Sequence, residues 1–466
     1  MQYITVGDAV KRDPRLIGLL RREAEQVLCV QAESGKKKLL SFRALYDNNH
    51  YFWENPNSSW DYYLEARRVN NLLYKVREQS SSHSPVISDY DSEEPGIPKT
   101  AAPAEIQGNL GERYDQILEM QPEERMDLLG EHTTRLNDLL TKKEEDTIQI
   151  ASALSDSAQD ASLINKTLIE DTLDLEDEEA KQRSIELVNK TEELVKHSTS
   201  LIDESIFQGE LFDSIVSRSN GTVVQHMTRT YIRSVEFLLY YNRKMLNSSL
   251  PNRIRIEFKT KYKSFYRQLL PNLHADDVIL ERVFYSGMQA ISLQQINRFA
   301  TGFLLHDVGK VNEIDYHEGN EGYNREKIVD HVKQGYLSIM NKTLYPPEVS
   351  LITGYHHEYY GHPSGYGFFR ALLNRYLKDH PKHRLGYVMA YTLKPVLSFE
   401  TMAYFPAKVL EIVDVFDALT DPNRLYKEPL MPNSALQLMR RSFVEDDLKL
   451  DPILLDLFIE FRKTRR

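Results

Sequence analysis

HDVGK, residues 306–310, ends an apolar run with an imidazole and a carboxylate side by side and a lysine three residues beyond the Asp. Side chains this polar rarely close an apolar run without partners. Four more stretches, between residues 223 and 420, carry an imidazole or a carboxylate in similar settings. His226 stands near the start of VVQHMTRTYIRS, His331 lies inside IVDHVKQGYL, His356 and His357 follow ITGY, and Asp414 with Asp417 lies in EIVDVFDAL. Imidazoles and carboxylates suit Mn, Fe, Zn or Ni, and this set is large enough for two ions. A single histidine on an apolar helix is more often a satisfied core or surface residue than a ligand. It is the ordered series, HD with a lysine, then His, then HH, then D-x-x-D, that argues for a shared site. Asp414 adds weight, because a carboxylate inside VLEIVDVFDAL would otherwise be buried unpaired at a cost of several kcal/mol.

The elements that must position these residues are helical. LQQINRFATGFLLHD, NREKIVDHVKQGYLSIM, YIRSVEFLLYYNRKM and FPAKVLEIVDVFDALT each carry apolar residues at helical spacing, and alternating strands are scarce. Asp414 and Asp417, three apart, share one helix face. Residues 207–466 therefore read as an all-helical domain, in which facing helices can converge ligands on a cavity. Residues 110–206 also have helical periodicity, with many charges and almost no Gly or Pro. Their functional reading is a signalling stalk or a segment for homodimers and protein partners; an ordinary bundle with solvated faces is the favoured alternative. Residues 78–109 are rich in Ser, Pro and acid and read as a flexible linker. Residues 1–77 read as a small module of unassigned type. The fold class is mainly α.

The chain has 466 residues, 41% hydrophobic and 27% charged, enough for two or three domains with sizeable cores. A net charge of -11 argues against a binder of nucleic acid polymers. The first residues, MQYITVGDAVKRDPR, have no apolar core of a signal peptide, and no stretch approaches a membrane span, so the expected location is cytoplasmic. One cysteine, Cys29, leaves no intramolecular disulfide and no cysteine metal cluster, so a metal would be held by His, Asp and Glu.

HDVGK, the HHE followed by SGYG, and DVFDALTDPNRLYK resemble the HD-GYP phosphodiesterases, a branch of the HD hydrolase superfamily, over roughly residues 207–466. The resemblance implies a helical metal-dependent hydrolase that cleaves cyclic di-GMP to pGpG, with a second cut to GMP left open, using two divalent ions, Fe or Mn first and Zn or Ni next. By the same resemblance His226, His306, Asp307, His331, His356, His357 and Asp414 are metal ligands, and Asp307 bridges the ions. Lys310 faces a substrate phosphate, and Arg424 and Lys427 contact the nucleotide. Asp417 is expected to support a ligand from outside, since ligating histidines commonly need an outer carboxylate. Two other readings stand beside this one: a catalytically silent cyclic-dinucleotide receptor, and an HD hydrolase of another nucleotide.

The chain departs from the family pattern in three places. HHEYYGHPSGYG lacks the Asp of the usual loop, is one residue longer, and has Gly367 where the family has proline; glycine there predicts a more mobile loop. Thr222 stands where members with three metals have Glu, which favours two. An insertion, NRKMLNSSLPNRIRIEFKTKYKSFYRQLLPNL, precedes the HD pair, and its alternating charges read as a solvated basic face. A second, from Arg370 to Phe405, contains His380 and His383, read as exposed like the loop residue His362.

Overall fold

A computed structural model describes residues 3–12, 16, 20, 26–31, 36–48, 59–65, 69, 110–142, 146–171, 178–205, 223–310, 325–383, 385–421 and 429–464. The proposed linker, Thr222, Arg424 and Lys427 lie outside these residues. The chain divides into two compact units, 1–104 and 105–466.

The first unit, whose type the sequence left open, is built on an antiparallel sheet. Strands β1 (Tyr3–Thr5), β2 (Gln26–Gln31), β3 (Lys37–Ser41) and β4 (Trp60–Glu65) lie in the order β1-β4-β2-β3, with Ile4 opposite Leu64 and Leu28 opposite Tyr63. Along β2 the burial alternates: Val27 and Cys29 are buried, whereas Leu28 and Val30 are half-buried, as a one-faced strand requires. Val27 and Cys29 join Val6, Ala9, Phe42 and Leu64 in a small separate core.

The second unit is mainly helical. Its central helix, Val223–Asn247, packs against Leu293–Leu304, Phe405–Thr420, Thr147–Asp171 and Glu178–Ser205. The helices of 110–206 thus share one core with those that follow: Leu154, Ile164, Leu194 and Leu201 belong to the same apolar cluster as Phe303 and Val409. They form part of the bundle, in line with the blander of the two readings above.

Two expectations need correction. The second insertion contains a small parallel sheet, β5 (Tyr387–Ala390) beside β6 (Thr401–Tyr404). Its strands are four residues long and almost wholly buried, too short and too uniformly apolar for an alternating pattern to show. Second, RIRIEFKTKYK is one continuous helical stretch with a buried side: Leu250–Glu257, a π-helical turn Phe258–Tyr262, then Lys263–Leu269. The buried residues Leu250, Ile254, Phe258, Tyr262 and Tyr266 recur every four positions. At 3.6 residues per turn, each such step overshoots by about 40°, and the wider π turn takes up that drift.

Candidate metal centre

The centre starts at the end of Leu293–Leu304, a helix opened by a capping box between Ser292 and Gln295. Beyond it the chain tightens into a turn, and His306 Nδ1 donates to the carbonyl of Phe303, three residues back (2.8 Å). The other ring nitrogen, Nε2, is left as the lone-pair donor. His356, at the end of Pro347–Tyr355, repeats the device, its Nδ1 donating to Thr353 O (2.7 Å). Gly309 explains why the HD turn sits where it does. A Cβ at this position would overlap the carbonyl oxygen of His331 and stand 2.9 Å from the nitrogen of Gly335. Only glycine lets the turn lie on the backbone of Arg325–Lys342, which brings Asp307 Oδ1 to 3.0 Å from His331 Nε2.

The remaining donors arrive from two long helices. His226 comes from Val223–Asn247, and Asp414 from Phe405–Thr420; His226 Nε2 lies 2.9 Å from Asp414 Oδ1 and 3.8 Å from Asp307 Oδ2. His357 Nδ1 is 3.8 Å from Asp414 Oδ2, and His356 Nε2 is 3.4 Å from Asp307 Oδ1. Two overlapping groups have donor atoms within 4.8 Å of one another: Asp307 with His331, His356 and His357, and Asp307 with His226 and His306. Asp307 is common to both. Lys310 Nζ donates to Asp307 Oδ2 at 2.8 Å.

These donors fit a metal. All seven side chains are buried, yet Asp307 Oδ1, His306 Nε2 and both ring nitrogens of His357 lack a hydrogen bond of acceptable geometry. Buried polar atoms normally find partners, and here His306 Nε2 and both nitrogens of His357 have none of good geometry. Burial holds His306 and His331 neutral, with pKa values lowered to about 4, and pushes His357 well below the ordinary range. Asp307 stays ionised: burial opposes its charge, but Lys310, His306 and His331 outweigh it and hold the carboxyl well below the usual range. His226 differs. Burial works against its charge, yet the hydrogen bonds to Asp414 and Asp417 raise its pKa. A set of neutral imidazoles around an ionised carboxylate is the protonation state a divalent ion requires.

Asp417 accepts a hydrogen bond from His226 Nδ1 (2.9 Å), on the side of the ring away from Asp307. The seven ligand candidates and Lys310 therefore come together, with Asp417 behind them; Arg424 and Lys427 lie outside the described residues. Several neighbours were missed. Arg229 and Arg233, three and seven residues after His226 on the same helix face, also bind Asp417, a role their spacing alone does not reveal. Tyr366 packs against His357, its ring tilted by 34° with centroids 4.3 Å apart.

Glu358, the Glu of HHE, reverses the expectation of a loosened loop. Its carboxylate accepts from the backbone nitrogens of Phe369 (2.8 Å) and Arg370 (3.0 Å), and a Cβ at Gly367 would overlap it. Glycine is there to admit a buried carboxylate. The loop is further tied by Tyr366 N and Gly367 N to His357 O and by Arg370 to the carbonyls of Gly365 and His362. His362 is half-buried, bonded to Ser364 Oγ (2.8 Å), and His383 is half-buried against Tyr376; only His380 is exposed as expected. A cleft of about 800 Å³ lined by Asn272, His274, Arg282 and Tyr387 involves none of the donor residues.

The chain matches no protein-family model, no curated protein and no solved structure.

Proposed function

We propose that the second unit is a metal-dependent phosphodiesterase of the HD-GYP kind, hydrolysing cyclic di-GMP to pGpG with two divalent ions, Fe or Mn, as cofactors. One observation carries this reading: five imidazoles and two carboxylates from five separate stretches of chain are buried together, with unpartnered lone pairs turned inward. His226, His306, Asp307 and Asp414 would hold one ion, and Asp307, His331, His356 and His357 the other. When bound, the ions would polarise phosphoryl oxygens and acidify water, the two demands of cleaving an anionic diester. The chain's own groups do the rest. Neutral His306 and His331 keep lone pairs available at physiological pH, and ionised Asp307 supplies the charge common to both positions. Lys310 is the least buried member, its side chain 18% exposed, and its ammonium is suited to charge developing on equatorial phosphoryl oxygens. Arg424 and Lys427 are proposed to contact the nucleotide, by resemblance alone. No helix among the described residues is long and apolar enough to cross a membrane.

A silent receptor is the second reading, favoured by the loop tied down over His357. One experiment separates the two. The protein is loaded anaerobically with Fe(II) or Mn(II) and incubated with cyclic di-GMP or a hybrid cyclic dinucleotide, beside His306→Ala/Asp307→Ala. Chromatographic appearance of pGpG with the intact protein alone supports the enzyme. Bound metal and bound nucleotide without product favour the receptor, and full turnover by the double variant refutes the assignment.

A further inference from the structure

We infer that Arg229 and Arg233 are positioning residues which, by clamping Asp417, set His226 for metal binding and so govern the His226–His306–Asp307 half of the centre separately from the other half. The inference rests on the metal reading above.

His226 has a problem that His306 and His356 do not. Those two sit at helix ends and turn Nδ1 to a carbonyl three residues back. His226 lies in the first turn of a long helix whose carbonyls are committed to the helical ladder; on its own helix only the Thr230 hydroxyl comes near Nδ1, at 3.4 Å, and the shorter contact comes from another element. Asp417 supplies that contact. It stands one turn beyond Asp414, so a single helix supplies both a donor to the ions and the anchor for a ring that comes from a different helix.

A lone buried carboxylate would be a poor anchor, free to take the histidine's proton or to swing away. Arg229 and Arg233 prevent both. Arg229 Nε and Nη2 reach Asp417 at 3.0 and 2.9 Å, and the same Nη2 reaches Asp421 Oδ2 at 2.7 Å. Arg233 Nη1 meets Asp417 Oδ1 at 3.1 Å, its guanidinium lying over the ring of Phe416. Two guanidinium groups face two carboxylates, and all four are buried. With its charge met, Asp417 holds the Nδ1 side of the ring, and Nε2 is the atom left facing Asp307 and Asp414. The contacts of the clamp given above run to His226 and to the ring of Phe416.

If the clamp only joined two helices, weakening it would lower stability and harm both halves together. Positioning predicts a split. Mn(II) is titrated into the full-length protein under anaerobic conditions, with bound metal counted by equilibrium dialysis and EPR, and the fold checked by circular dichroism and melting temperature. Wild type is expected to bind two ions. Arg229→Gln and Arg233→Gln should each keep one at wild-type affinity and bind the other roughly 10–100-fold more weakly, the usual effect of removing such support. His226→Ala should lose the same ion. Arg233→Lys should restore binding, since Arg233 reaches Asp417 through one nitrogen, whereas Arg229→Lys should not, because one ammonium cannot span two carboxylates. If Arg229→Gln fails to fold, the Arg233→Gln and Arg233→Lys pair decides. Two ions bound unchanged in Arg233→Gln, or both weakened alike, overturns the inference while leaving the metal reading intact. No metal bound by wild type overturns both.

Discussion

The protonation pattern of the centre can be tested by filling it with metal at pH 5.5. A ligand must give up its proton to bind, so protons released count the histidines that were charged beforehand. An ordinary histidine with a pKa near 6.5 is about 90% protonated at that pH, so His306, His331 and His357 would together release roughly 2.7 protons. Burial lowers His306 and His331 to about 4 and pushes His357 well below its ordinary value. At pH 5.5 His306 and His331 then release less than roughly 0.1 proton between them, and His357, held neutral by the same burial, adds little. His226, raised by Asp414 and Asp417, releases its one, and His356 can release no more than one. The expected total is therefore at most about two, against more than three and a half if the first three were ordinary and His226 were charged. Titration calorimetry with Mn(II), repeated in buffers of different ionisation enthalpy, reads the number directly. Release of three or more protons would refute the claim that the imidazoles are held neutral in advance.

Three further outcomes are expected. Gly309→Ala forces the HD turn off the backbone of the Arg325–Lys342 helix, costing roughly 2 kcal/mol by overpacking and weakening metal binding; an unchanged urea midpoint and metal affinity would contradict the contact. Gly367→Ala displaces the Glu358 carboxylate from the Phe369 and Arg370 nitrogens, which should cost about 2 kcal/mol in chemical denaturation. Glu411 is pushed up to about 7 by burial despite its pairing with Lys408. A raised carboxyl contributes stability that is full below the unfolded value and lost as pH rises through the folded one. Stability should therefore fall by up to roughly 3 kcal/mol between about pH 4.5 and 7, a slope that Glu411→Gln should flatten in denaturation curves taken across that range.

How much could be read from the chain depends on where its polar residues go. The long helices were legible because their apolar faces repeat at helical spacing, and the donors were legible because imidazole and carboxylate sit where an apolar run forbids them. Arg229 and Arg233 were not, since an arginine on an amphipathic helix ordinarily marks the solvated side. Only the knowledge that Val223–Asn247 is buried nearly all round turns the same residues into an internal clamp. β5 and β6 escaped for want of length. The role of Gly367 escaped because glycine in a loop looks like freedom, and the Glu358 carboxylate that occupies the space lies nine residues away.

The π turn at Phe258–Tyr262 makes the length of the chain there a fixed quantity. Downstream of it, Tyr266 donates to Asp451 Oδ2, as does Tyr360, three residues after His357 (2.7 Å each). Asp451 also caps the helix Pro452–Lys463 through the nitrogens of Ile453 and Leu454. Removing one residue from the turn would give an ordinary α-helix but rotate all that follows by about 100°, carrying Tyr266 away from Asp451. A deletion here, far along the sequence from any donor, would thus be felt at the loop beside His357.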